Sequence, residues 1–182
     1  MSLIAGLRQR IVDAIRDEID DLYNVDWYDG LFDEEDVTEW GQSAPAAYVA
    51  VLKAPTDPHA TGEMLADLQI VVVVVTQDVS QAREGDGQNW GFMERIAALA
   101  KDNAFGDPNA APAANVDFKK MRHPHLRREG VHIGVVEWRS NLTIGTNKSV
   151  AEDAILGLAQ PPMLPTLVAR TGSDVMRFED PS

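Results

Sequence analysis

The sequence predicts an α+β domain: a mostly antiparallel sheet of four to five strands, two helices packed on one face, and a C-terminal extension. Three observations carry that prediction. An apolar stripe at helical spacing opens the chain, the strand-like runs that follow are joined by links short enough for hairpins, and the periodicity stops after Gly145. A length of 182 residues suits one domain large enough to bury its own core without a disulfide or metal staple. Residues 1–146 are read as that domain, with 24–44 as an acidic loop insertion and 147–182 as an arm.

Leu3, Leu7, Ile11, Ile15, Ile19 and Leu22 recur on one face, with Ile4 and Ala14 widening the stripe. This predicts an amphipathic helix of about 20 residues. Its acidic end, Asp17 to Asp21, opposes the helix dipole, so an assembly role for that acidity is considered. Residues 24–44 read as an irregular loop anchored by Trp27, Tyr28, Phe32 and Trp40. AAYVAVLKA (46–54) reads as a strand, and PTDPHATG as the turn that ends it. LADLQIVVVVVTQDV (65–79) is a strand whose valine run has no polar face. It must therefore be covered on both sides, by helices on one and by loop, tail or a neighbouring subunit on the other, with the arm after Gly145 or the next subunit as the expected cover.

A helix is expected over roughly 88–101, with Trp90, Met93, Ile96, Ala97 and Ala100 on its apolar stripe. VDFKKMR offers a short strand, and HPHLRREG a basic turn. In GVHIGVVEWRSNLTIG (130–145), one face carries Val136, Trp138, Leu142 and Ile144. The other begins apolar with Val131, Ile133 and Val135, then turns polar with Glu137, Arg139 and Asn141. A strand buried on both sides at one end and half-exposed at the other follows. Ser149 and Glu152 suggest a capped short helix in the arm.

Composition narrows function. There are no cysteines, which excludes thiol chemistry and cysteine-ligated metals. The longest apolar run, Ile70 to Val75, is far below the roughly 18–20 residues of a membrane helix, and the early charges of the N-terminus do not suit a secretory signal. A net charge of −13 argues against coating nucleic acid. That charge is segregated. Asp17 to Glu39 holds eleven carboxylates and no lysine or arginine, whereas KKMRHPHLRR (119–128) holds five basic residues and two histidines.

Tests for chemistry return little. With Gly30 at position 6 of an EF-hand loop, positions 1 and 3 become Val25 and Trp27, so the calcium pattern fails. His123, His125 and His132 lack a standard metal spacing, and the pair Ser140 and His132 lacks a third catalytic partner. No glycine-rich phosphate loop follows a strand. The expectation is a non-enzyme without cofactor, catalytic residue or metal ligand. A small-molecule- or metal-binding domain stands as the alternative of another class.

The order of IAGLRQRIVDAIRDEI, APAAYVAVLKA, ADLQIVVVVVTQDV, REGDGQNWGFMERIAALAKD and GVHIGVVEWRSNLTI resembles the Mu-like phage and prophage small tail proteins related to tail terminators. The resemblance spans residues 1–146 and implies a structural virion protein made in the host cytoplasm. Such a protein forms a ring, usually a hexamer, on the last ring of the tail tube. The partners implied are further copies of itself, the tail tube protein and a neck or head-completion protein, with DNA only passing through the lumen and no membrane. A head–tail connector or neck role in the same virion is the nearer alternative. Because a ring needs two different patches that meet, the candidate interface residues are Asp33, Glu34, Glu35 and Asp36 on the acidic segment and Lys119, Lys120, Arg127 and Arg128 on the basic one.

Overall fold

A computed structural model describes residues 2–29, 41–78, 84–121 and 130–147. The arm, most of the acidic insertion and the basic turn lie outside them, and with them Phe32, Trp40, His123, His125 and the Ser149 cap.

Helix α1, Leu3–Glu18, starts where the Ser2 hydroxyl accepts from the Ala5 N–H, satisfying one of the free donors of the first turn. Leu7, Ile11, Val12 and Ile15 are its buried stripe. The helix is shorter than the stripe suggests. Ile19 and Leu22 are buried beyond its end because the chain leaves helical geometry at Ile19 and still follows the core. The acidic end receives a cation from elsewhere: Arg95 donates to the Glu18 carbonyl at 2.6 Å and to Asp21 at 3.3 Å.

The strands are β1 Asn24–Trp27, β2 Ala46–Lys53, β3 Thr56–Pro58, β4 Met64–Gln77, β5 Ala114–Met121 and β6 Val131–Ile144. The sheet runs β1-β2-β4-β6-β5, with β3 also paired to β4 beyond the bulge that ends β2. Among the described residues it has six strands, where four to five were expected. The β1–β2 pair is parallel and every other pair antiparallel. β1 falls inside the segment read as a loop, and β3 inside the segment read as a turn. Neither carries an alternating apolar pattern: β1 buries only Val25, and all of β3 is exposed. Backbone pairing to a neighbour holds both, and that signal is absent from local composition.

Helix α2, Gly85–Ala100, packs with α1 on one face of the sheet. Ala47, Val49, Leu68, Ile70, Val72, Val74, Val136, Trp138 and Leu142 meet Leu7, Ile11, Ile15, Phe92, Met93 and Ile96 there. The alternate residues Ala46, Tyr48, Val71, Val73, Val75, Val131, Ile133 and Val135 form a second buried cluster on the other face. All five valines of the run are at most 3% exposed. At roughly 1.5–3 kcal/mol per fully buried side chain, covering that second face is a sizeable part of the domain's stability.

Among the described residues the cover comes from the chain that links β1 to β2. Tyr28 and Ala44 pack on the cluster, and a methyl at Gly41 would sit 3.3 Å from Val131. That cover is loop; of the two covers expected instead, a neighbouring subunit and the arm, the arm lies outside the described residues from residue 148 on. As the pattern in β6 predicts, this face turns polar towards its other end, where Asp67 pairs with Arg139 at 2.6 Å and Glu137 with Lys119 at 2.8 Å.

Candidate subunit-contact edges

β1 and β5 end the strand order on opposite sides, so Asp26 of the acidic segment and Lys119 and Lys120 of the basic one sit at opposite edges of one sheet. Four strand spacings of about 4.8 Å separate them by roughly 19 Å. The β1 edge presents Tyr23, 83% exposed, and Trp27, 44% exposed, together with Asp26 and Asp29. The Arg8 guanidinium lies 4.2 Å from the centre of the Trp27 ring and also pairs with Asp29, which holds the indole against α1. Two backbone groups here are engaged: the Val25 carbonyl accepts from Arg16 at 2.7 Å, and the Trp27 N–H donates to the Asp26 carboxylate at 2.8 Å.

At the β5 edge, Lys119 and Lys120 point to opposite faces, as successive strand residues must. Lys119 is exposed and pairs with Glu137, whose hydrogen bond raises the lysine pKa above its ordinary value. Lys120 turns to α2. It lies 2.8 Å from Asp86 and 5.4 Å from the centre of the Trp90 ring, and only 16% of its side chain is exposed. Its hydrogen bond holds the Asp86 carboxyl below the usual value, against the opposing effect of burial. The two lysines therefore divide: Lys119 faces outward, and Lys120 ties β5 to α2. Phe118 meets Trp90 edge to face at 6.1 Å, and both rings remain partly exposed, as does Met121. Asp33, Glu34, Glu35, Asp36, Arg127 and Arg128 lie outside the described residues.

Sequence reasoning placed Trp90 on the buried stripe and did not single out Asp26 or Phe118. Trp90 is instead at the margin of that stripe, beside β5, the strand expected at VDFKKMR, whose position at the sheet edge local pattern does not give.

The polar residues elsewhere serve the fold. His132 stands between two carboxylates, with Nε2 3.1 Å from Asp78 and Nδ1 3.6 Å from Asp86. Asp78 also accepts from the Gly85 N–H at the start of α2, which joins β4, β6 and α2 at one end of the sheet. Buried Asn89 donates to the carbonyls of Val74 and His132. Ser140 donates to the Ala111 carbonyl and lies eight residues along β6 from His132, about 26 Å at the rise of a strand, so the two do not form a catalytic pair. Among the described residues no group of three or more His, Cys, Asp or Glu is arranged to hold a metal ion, and no helix is long and apolar enough to cross a membrane. His59 lines an open groove of about 240 Å³ at the β3–β4 turn with Glu63, Met64, Leu65 and Thr143.

Fold and edges together define an α+β domain with a mixed sheet whose end strands among the described residues, β1 and β5, differ in chemistry. No protein-family model matches the chain, and no curated protein matches it.

Proposed function

We propose that this chain is a structural subunit that assembles head to tail into a ring, of the kind that ends a phage tail tube and links it to the neck. One observation carries the reading: β1 with Asp26 and Trp27, and β5 with Lys119 and Phe118, lie at opposite ends of one sheet. A contact between two different patches repeats from copy to copy and closes when the rotation permits, whereas a self-complementary patch stops at a dimer. Opposite charges at the two patches favour docking in one orientation. The order of elements adds the tail-terminator resemblance, which supplies the tube and neck as further partners.

The test is light scattering coupled to size exclusion, with electron microscopy of tail tubes incubated with the protein. A closed oligomer that sits at one end of the tubes is expected. A monomer at every concentration and salt, with or without tubes, would sink the reading. A ring that ignores the tubes would leave assembly standing and remove the tail role.

A further inference from the structure

The register of the sheet specifies how two copies meet. Following paired residues across the strands, Asp26 lies level with Tyr48, Val73, Val135 and Lys119, and Trp27 level with Val49, Val72, Val136 and Phe118. The short strand β1 thus occupies the same height on its edge as residues 118–121 occupy on the other. Strand directions agree as well. β1 runs parallel to β2, and three antiparallel steps from β2 through β4 and β6 reach β5, so β1 and β5 are antiparallel.

We infer that β5 of one copy lies beside β1 of the next as an antiparallel continuation of the sheet, with Lys119 opposite Asp26 and Phe118 opposite Trp27. This rests on the ring-forming part of the proposed function and is independent of its tail role. The occupant is a second copy because the two edges match without any shift along the strands. Lys119 and Asp26 share the face of the Tyr48–Val73–Val135 row, so opposite charges meet. Trp27 and Phe118 share the helical face, so Trp27 joins the Phe118–Trp90 pair and extends an aromatic cluster across the junction. In the lone chain the Asp26 carboxylate accepts from the Trp27 N–H. At the junction that N–H turns to the neighbour's backbone and the carboxylate to Lys119. The Val25 carbonyl stays with Arg16, so side chains carry more of the contact than the backbone does.

The absence of cysteine allows a direct test. Asp26→Cys and Lys119→Cys are prepared as separate proteins, mixed in equal amounts and mildly oxidised. Directly opposed residues on antiparallel strands have Cα atoms about 4.5–5.5 Å apart, within disulfide range. A covalent dimer of one copy of each is expected in the mixture, in roughly tenfold excess over any dimer formed by either variant alone. The double variant should give a ladder of covalent multimers.

If light scattering shows oligomers but the mixture does not cross-link, this junction is wrong and ring assembly survives. If either single variant links to itself as readily as the mixture links, the contact is self-complementary and the inference fails. If the protein neither links nor associates, the inference and the ring fall together.

Discussion

Gly134 lies directly under Asn89 and Met93 of α2, and its substitution gives a quantitative test of the core. A methyl built on Gly134 would lie 2.5 Å from Asn89 Oδ1 and 2.9 Å from Met93 Cγ, with Met93 Sδ closer still. Both neighbours are completely buried, so neither has solvent to move into. Forcing a methylene-sized group into such a site costs about 1–3 kcal/mol. If Asn89 is displaced, its hydrogen bonds to Val74 and His132 weaken too, at about 1 kcal/mol each. Gly134→Ala should therefore destabilise by roughly 3–5 kcal/mol, a large fraction of the about 5–15 kcal/mol typical of a domain.

Guanidinium unfolding followed by circular dichroism measures this directly. The midpoint should fall with little change in slope. Shortening Met93 in the Gly134→Ala background makes room for the methyl, so the double variant should cost less than the sum of the single changes. A Gly134→Ala protein within about 0.5 kcal/mol of wild type would show that α2 does not sit this close to β6.

Other changes separate assembly from folding. Lys119→Gln should weaken association, most clearly at low salt, while changing the unfolding free energy by no more than about 0.5 kcal/mol, because exposed ion pairs contribute little. Lys120→Glu, on the opposite face of the same strand, should lower stability instead: it sets a carboxylate against Asp86 and removes the cation from the Trp90 ring, and unfolding curves of the two variants distinguish the roles. The Asp86 carboxyl is held below its ordinary value of 3.8, so its stabilising effect is present above that pH and is lost as pH falls through the lower folded value. Stability measured against pH should show Asp86→Asn approaching wild type in that acid range; a gap that stays constant with pH would exclude the Lys120 pairing. Arg8→Ala should release Trp27, seen as a change in its fluorescence, at a cost of about 0.5–1 kcal/mol.

Much of the fold is readable in local pattern. Helical spacing from Leu3 to Ile15 sets the α1 stripe, and the alternation in β6 anticipates both its two-sided burial near Val131 and its polar end near Asn141. The valine run announces burial on both faces. Where pattern stops at the edges, the reason is physical. Residue alternation encodes which face a side chain takes, through the period of the strand, but carries no information about which strand lies alongside. Asn24–Trp27 and Thr56–Pro58 become strands only because β2 and β4 offer backbone partners there.

The candidate site shows the same division. Segregated acidic and basic segments are visible in the sequence, and the tail-terminator resemblance adds the expectation of two different contact patches. The placement of Asp26 and Lys119 on opposite edges, their matching height, and the turning of Lys120 towards α2 all depend on pairings between residues far apart in the chain. The sequence by itself determined the helical stripe and the faces of the long strands, since these follow from spacing along a single element. Only the tertiary structure decided where the sheet ends and which charges face outward, because an edge exists only once every other strand has found its neighbour.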